Sequence, residues 1–164
     1  MGKAFPEYLK PIICGSFPGL CSDSKFEITS PQDARYNCIS WAMMHKDRWT
    51  QPPAGYPYLD GVFWWPPNAL NGTDISCLVD AFVKEGYEIC SSAEFEDDFV
   101  KVALYHNPKN NKWTHACRLL RTGVWASKLG TSFDIEHGSP YTIEGETYGK
   151  VYCIMRAPFH SHKK

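Results

Sequence analysis

The chain is organised around the segment YNCISWAMMH, residues 36–45, which predicts a short buried helix. Asn37 suits the N-cap position, because its side-chain oxygen can accept a backbone N–H of the first turn. The residues after Cys38 leave almost no polar face, and a helix that is apolar all round is a buried helix. The segment thus places the Cys38 thiol at the positive end of a helix, which favours the reactive thiolate. A small buried cysteine without reactivity is the alternative interpretation.

The composition indicates one globular domain and excludes several classes of partner. Apolar residues make up 43% and aromatic residues 15% of the 164 positions, which suits a packed core. The net charge is −1 and no long basic run is present, so nucleic-acid binding has no electrostatic support. No apolar stretch approaches the length of a membrane span, and the first residues lack the pattern of a signal peptide. We therefore expect a cytoplasmic protein, or one delivered into a cytosol, without a membrane partner.

The cysteines do not have the spacing of a cross-linked or metal-binding protein. They are seven in number, irregularly spaced, and form no C-x-x-C pair. Neither a disulfide framework nor a zinc site is supported by such a pattern. We expect seven reduced thiols and neither a metal nor a cofactor.

The order of predicted elements indicates an α+β fold, because helices come first and a meander of antiparallel strands follows. Residues 7–13 predict a helical turn, and residues 74–86 predict a helix that Gly86 ends. An aromatic loop rich in proline, residues 49–67, separates the helices and is not expected to hold a regular element. Strands are predicted at residues 99–105, 115–120, 124–129 and 150–155, and Thr122-Gly123 is a hairpin signal between the middle two.

A cysteine nucleophile requires a base and a group that orients the base. His115 opens a predicted strand, and a rigid strand end is a suitable mount for a base; a half-buried strand histidine is the alternative. His45 lies two helical turns from Cys38, about 10 Å along the axis. The remaining histidines lie at a turn, in a loop or in the tail: His106, His137, His160 and His162. We therefore predict that Cys38 Sγ lies within about 4 Å of a ring nitrogen of His115.

The orienting group depends on the hairpin register. With a two-residue loop, Arg121 pairs with Val124 and Ser127 points away from the face of His115. Asp134 is then the first carboxylate after the hairpin, and a carboxylate best stabilises a charged imidazole. Glu136 and His137 are alternatives, and a bulge of one residue would instead bring Ser127 onto the catalytic face.

Four further residues are candidates for lining the site or binding the substrate. Cys117 shares the predicted face of His115 and could line the site. The backbone N–H of Cys38 and the side chain of Asn37 could bind an oxyanion, although Asn37 could equally serve only as the N-cap. Trp65, with Trp64, could wall a substrate groove, whereas packing in the core is expected for at least one of them.

Several segments resemble an uncharacterised bacterial family. The similar segments are FEITSP, YNCISWA, GYEIC, THACRLL, WASKLG, DIEH and YGKV, within residues 26–158. Members of that family typically read YNCIAWA, HAARQL, WTSKLG and DIEH. The chain departs from the pattern at Cys117, where alanine is expected. Residues 1–25 have no counterpart, so they are expected to form an N-terminal extension, and residues 159–164 a flexible tail.

The family in turn resembles a divergent branch of the papain-like cysteine hydrolases, which include cell-wall amidases and effector proteases. The resemblance implies a papain-like fold and a catalytic Cys, His and third polar residue in this order, falling on Cys38, His115 and Asp134. The expected activity is cleavage of an amide in a peptide, an isopeptide or a side chain. A deamidase or transglutaminase-type acyl transferase would use the same triad, and a binding module that has lost catalysis could retain the fold.

Overall fold

The computed structural model describes residues 8–30, 37–44, 49–50, 63–70, 72–129 and 133–159. Within these ranges the chain forms a seven-stranded antiparallel sheet with helices packed against it, so the fold is α+β as predicted. The helices are α1 (Leu9–Ser16), α2 (Cys38–Ala42) and α3 (Ile75–Lys84), with 3-10 helices at Pro18–Ser22 and Pro140–Ile143. The strands are β1 (Glu27–Ser30), β2 (Trp49–Thr50), β3 (Phe63–Trp64), β4 (Glu88–Cys90), β5 (Phe99–His106), β6 (Trp113–Leu119), β7 (Trp125–Lys128), β8 (Asp134–His137) and β9 (Lys150–Pro158).

The sheet has the order β1-β8-β7-β6-β5-β9-β4, which places β6 and its neighbours in the middle. Strand β5 is buried on both faces, because its side chains alternate between two apolar clusters. Val102 and Leu104 face α2 and α3, whereas Ala103 and Tyr105 face the opposite side. We call the first side of the sheet the helix side and the second the loop side.

Helix α2 begins as predicted, with Asn37 as its N-cap, and the Asn37 side chain accepts the Ser40 N–H at 3.0 Å. It ends at Ala42, earlier than predicted, and Met44 takes a left-handed conformation at φ 70°. His45 lies outside the described residues. A helix of five residues has little stability of its own, so its packing against the sheet must hold it in place.

Several elements differ from the sequence prediction. Residues 49–67 hold a short parallel pair, β2 with β3, where no regular element was expected. Strand β8 covers DIEH, a segment predicted to be a loop, and pairs with both β1 and β7. Phe159 donates its N–H to the Asp98 carbonyl at 2.8 Å, so it is not part of a flexible tail, and residues 160–164 lie outside the described residues.

The N-terminal extension packs tightly on the loop side, where Phe17 and Leu20 are buried. Cys14 and Cys21 form a disulfide that joins α1 to the following 3-10 helix. The expectation of seven reduced thiols is therefore wrong for this pair, because the turn at Phe17 brings the two elements together. Cysteines that the structure describes as free are Cys38, Cys77, Cys90, Cys117 and Cys153. No helix in the described ranges is long and apolar enough to cross a membrane.

Candidate active site around Cys38 and His115

Cys38 is the first residue of α2, and its sulfur lies beside strand β6. The backbone N–H of Ala116 in β6 forms a hydrogen bond with Sγ, as do the N–H groups of Ile39 and of Cys38 itself. Only 8% of the residue is exposed, and this burial raises the pKa of the thiol to about 11 in spite of those N–H groups. The expected low pKa is therefore wrong for this closed structure: desolvation outweighs the N–H donors at the start of the short helix.

His115 is fully buried in β6 and is held from two directions. Its Nε2 lies 3.1 Å from Ser127 Oγ, and the ring of Tyr148 stacks on the imidazole with centroids 3.9 Å apart. Burial, with a smaller contribution from nearby His137, holds the pKa of His115 well below its usual range. The other ring nitrogen, Nδ1, has no hydrogen-bond partner among the described residues.

Cys38 lies against β6 and His115 lies in it, but no hydrogen bond joins them: Cys38 packs in the helix-side cluster, whereas the His115 ring lies on the loop side beside Tyr105. Cys38 bonds to the N–H of Ala116, the residue directly after His115. The hydroxyl of Tyr148, whose ring covers His115, lies near enough to Cys38 that a thiolate there would raise the Tyr148 pKa. The predicted contact of about 4 Å between sulfur and imidazole thus stays a prediction for a more open state.

Ser127 and His137 continue the hydrogen-bonded chain away from His115. Ser127 Oγ lies 2.8 Å from His137 Nε2, and His137 Nδ1 lies 2.8 Å from the carbonyl oxygen of Ser139. Both side chains are fully buried, and burial lowers the pKa of His137. Imidazole, hydroxyl, imidazole and carbonyl therefore form one line on the loop side of the sheet.

The prediction that Asp134 orients His115 is wrong, because the hairpin has a three-residue loop. The Leu120 N–H bonds to the Val124 carbonyl, and Gly123 adopts φ 94°, so β7 is shifted by one residue from the predicted register. The shift places Ser127 on the loop side, as the alternative with one extra residue predicts.

Asp134 points to the helix side instead, together with its cross-strand partner. Its Oδ1 lies 3.9 Å from Lys128 Nζ, and both side chains are buried. Glu136 pairs with Ala126 on that same side, away from His115. Of Asp134, Glu136 and His137, only His137 is linked to His115, through its hydrogen bond with Ser127.

The Asn37 side chain serves the fold rather than an oxyanion. Its Oδ1 accepts N–H groups from Ser40 and, at 3.2 Å, Thr50, and its Nδ2 donates to the Thr50 carbonyl at 2.8 Å. Asn37 thus ties the start of α2 to β2. The structure confirms the cap and leaves the backbone N–H groups at the start of α2 as the donors nearest to the sulfur.

The other candidates of the sequence analysis also have structural partners. Trp65 is half-buried, donates Nε1–H to the Leu70 carbonyl at 2.8 Å and stacks on Trp113. Cys117 lies 3.2 Å from the Tyr105 hydroxyl, and burial raises its pKa to about 12. His106 Nδ1 bonds to Asn111 at the far end of β5. The side chain of Trp64, with His160 and His162, lies outside the described residues.

The match to a family model covers this whole constellation. Residues 27–156 match the model described as a domain of unknown function, DUF7689. The chain belongs to this family. Neither the curated proteins nor the solved structures contain a match to it. The DUF7689 region includes every residue of the hydrogen-bonded chain and begins after the N-terminal extension.

Tyr148 is a residue of the DUF7689 region that the sequence analysis did not single out as part of the site. It lies in the loop between the second 3-10 helix and β9, and its ring fills the space between His115 and Phe17. Nothing in its local pattern marks it, since it precedes a tight turn at Gly149 and reaches His115 only through tertiary packing. Its presence in the YGKV segment, which resembles the family pattern, was the available signal.

No metal-binding cluster is apparent near the site. Among the residues that the structure describes, no group of three His, Cys, Asp or Glu side chains is arranged to hold a metal ion. The chemistry considered below therefore uses only the side chains and backbone groups already named.

Proposed function

We propose that this DUF7689 domain is a papain-like cysteine hydrolase, with Cys38 as the nucleophile and His115 as the base. The observation that carries the proposal is the state of the His115 ring: Ser127 holds Nε2, whereas Nδ1 is buried without a partner. A buried nitrogen without a hydrogen bond is costly and rare in proteins, so it calls for a functional explanation. Acceptance of a proton from a thiol provides that explanation.

The proposed reaction begins with both groups neutral, because burial raises the Cys38 pKa and lowers the His115 pKa. As the sulfur attacks an amide carbonyl carbon, the thiol proton passes to His115 Nδ1. The carbonyl oxygen becomes an oxyanion, for which the N–H groups at the start of α2 are the nearest donors. His115 then gives its proton to the leaving amine, and water, deprotonated by His115, cleaves the thioester.

The substrate class follows from the nucleophile and is an amide in a peptide, an isopeptide or a side chain. A deamidase or an acyl transferase would share the first half of this reaction and differ only in the acceptor of the acyl group. The cytoplasmic location expected from the sequence is part of this proposal and suits a free thiol nucleophile, whereas the Cys14–Cys21 disulfide is of a kind that is rare in that compartment.

A binding module without catalysis is the second candidate, and the burial of the site favours it. Cys38 is only 8% exposed and His115 is fully covered, so a substrate cannot reach them without movement of the Tyr148 loop. In a module, Cys38 would react as an ordinary buried thiol and would not depend on His115.

Acetylation by p-nitrophenyl acetate distinguishes the two candidates, because this small ester reacts with an activated thiol. We expect mass mapping to find Cys38 acetylated before half-buried Cys77, and His115→Ala to slow the reaction at Cys38 about 10²-fold or more. His106→Ala is the matched control and should leave the rate unchanged, since His106 bonds only to Asn111. Equal rates at Cys38 in the wild type and His115→Ala would support the binding module instead.

A further inference from the structure

The direction of every hydrogen bond in the chain behind His115 can be derived from its far end. A carbonyl oxygen can only accept, so His137 Nδ1, at 2.8 Å from the Ser139 oxygen, must carry a hydrogen. In a neutral imidazole the other nitrogen then bears a lone pair. His137 Nε2 is therefore an acceptor, and it faces Ser127.

Ser127 has one hydrogen and three hydrogen-bonding neighbours, two imidazoles and the weakly accepting sulfur of Cys117. Its Oγ lies 2.8 Å from His137 Nε2 and 3.1 Å from His115 Nε2. Because His137 Nε2 can only accept, Ser127 donates to it and must accept from His115. His115 then carries its hydrogen on Nε2, and its Nδ1 is unprotonated.

We propose that His137 is a positioning residue, which acts through Ser127 to hold His115 in the tautomer with an unprotonated Nδ1. The proposal rests on the proposed function, since that tautomer presents a lone pair for the thiol proton. Without His137, the Ser127 hydroxyl could accept from the Nε2–H tautomer of His115 or, by rotating about its C–O bond, donate to the Nδ1–H tautomer. The Ser139 carbonyl, which can only accept a hydrogen bond, thus determines which ring nitrogen of His115 carries the hydrogen.

The surroundings of His137 make the arrangement sensitive to acid. Asp23, which accepts the Gly138 N–H at 2.8 Å, is the acidic group facing His137, and its charge raises the His137 pKa against the larger effect of burial. Lys25 lies beside Gly138 as the nearby basic group, and His115 faces His137 across Ser127. Trp125, the cross-strand partner of His137, adds no charge.

Protonation of His137 reverses the direction of the hydrogen bonds between His137, Ser127 and His115. A protonated His137 donates from Nε2, so the Ser127 hydrogen no longer points to it. We expect that hydrogen to turn toward His115 Nε2, because an imidazole nitrogen is a stronger acceptor than the Cys117 sulfur that also lies beside Ser127. His115 then holds its own hydrogen on Nδ1 and loses the lone pair that faces away from Ser127. The base is therefore disabled when His137, rather than His115 itself, takes up a proton.

Nitrogen-15 NMR of the histidine rings tests the proposal, because protonated and unprotonated ring nitrogens resonate far apart. In the wild type at neutral pH we expect His115 as the Nε2–H tautomer, with a conversion to Nδ1–H as the pH falls through the His137 pKa. This titration uses the intact protein and does not depend on a variant that folds. A His115 tautomer that is Nδ1–H at neutral pH, or that ignores His137 protonation, overturns the proposal.

Two substitutions of His137 distinguish a role in fixing the His115 tautomer from a role in packing alone. His137→Leu removes the acceptor and should yield a mixture of His115 tautomers, whereas His137→Gln supplies an amide oxygen and should retain the Nε2–H form. His106→Leu is the matched control at a half-buried histidine far from Ser127 and should leave the His115 tautomer unchanged. Identical His115 spectra in His137→Leu and the wild type would show that His137 only packs.

The acetylation rate at Cys38 links the tautomer to reactivity. We expect His137→Leu to slow it about 10²-fold and His137→Gln to restore most of the loss. If the tautomer changes as expected while acetylation never depends on His115, the positioning role of His137 is supported and the hydrolase proposal is wrong. If acetylation depends on His115 but the His115 tautomer does not depend on His137, the hydrolase proposal is supported and the positioning role of His137 is wrong.

Discussion

Ser127 is an uncharged partner for the buried imidazole of His115. A hydroxyl accepts the His115 Nε2–H at 3.1 Å but adds no negative charge. A carboxylate in that position would raise the pKa of the imidazole and favour a standing ion pair with a thiolate. Burial and a neutral partner instead favour uncharged His115 and Cys38, so in the proposed reaction proton transfer accompanies the attack by the sulfur.

Substitution of Ser127 and Asp134 tests which of them supports His115. We expect Ser127→Ala to slow acetylation of Cys38 at least about tenfold, because His115 loses the hydrogen bond that orients its Nε2. Asp134→Asn should slow it less, because its carboxylate lies against Lys128 rather than against the imidazole. The reverse order of the two rates would restore Asp134 as the orienting group. Denaturant unfolding of both variants confirms that each is folded under the assay conditions.

At the scale of elements, the short helix α2 depends on contacts at both of its ends. Asn37 joins its first turn to Thr50 in β2. At the other end, Arg118 of β6 lies over the Trp41 ring at 4.1 Å and donates to the Trp41 carbonyl at 3.2 Å. These contacts hold Cys38 against β6, since five residues cannot form a stable helix alone.

Comparison of the two helix N-caps measures the dependence on Asn37. We expect Asn37→Ala to lower the free energy of unfolding by about 2–4 kcal/mol, because it removes a cap and leaves the buried Thr50 carbonyl without its donor. Asp74→Ala removes the exposed cap of α3 and should cost about 1 kcal/mol. Urea unfolding curves of both variants give the comparison. Equal losses would mean that the link between Asn37 and β2 contributes no stability.

Elements with strong local signals could be predicted from the sequence. Asn37 and Asp74 are side-chain caps as expected, and the apolar spacing of α3 specifies its buried face. The run at β5 has enough consecutive apolar residues to indicate a buried strand. The helix start at Cys38 was also predicted, whereas His115, which was predicted to open a strand, is the third residue of β6.

The partner of His115 could not be predicted, because it depends on hairpin register. Thr122-Gly123 fits a loop of two or three residues, and the choice decides whether Ser127 or Lys128 faces the loop side. The strands β1, β4 and β8 are too short to show a periodic pattern of apolar residues, so the sequence of β8 predicted a loop. Tyr148 reaches His115 from a distant segment, and no local rule predicts such contacts.

At the scale of the whole molecule, the N-terminal extension closes the site from outside the family-matched region. Phe17 lies against Tyr148 with ring centroids 5.1 Å apart, and Tyr148 in turn covers His115. Thr147 donates to the Ser16 carbonyl at 3.4 Å, and Gly19 lies so close to the Thr142 carbonyl that no side chain fits there. The extension and the Tyr148 loop thus form one cover over the site.

Removal of the Phe17 ring tests whether this cover limits access to the nucleophile. We expect Phe17→Ala to speed alkylation of Cys38 by iodoacetamide about tenfold, since the loop can then open without full unfolding. Ile28→Ala is the control, because it removes a buried side chain of the edge strand β1, outside the cluster that contains Cys38. Both variants should lose about 3 kcal/mol of stability. If they speed alkylation equally, access requires global unfolding and the extension is no cover.

The three-residue loop between β6 and β7 also has an evolutionary consequence. A point mutation at residue 127 changes one side chain, whereas loss of one codon at residues 121–123 would shift the register of β7. Ser127 would then face the helix side, and Lys128 would face the loop side in its place. Such a deletion would exchange a hydroxyl for an ammonium group in one step. Descendants of this chain that keep the hydroxyl must therefore keep the length of the loop, whatever residues they place in it.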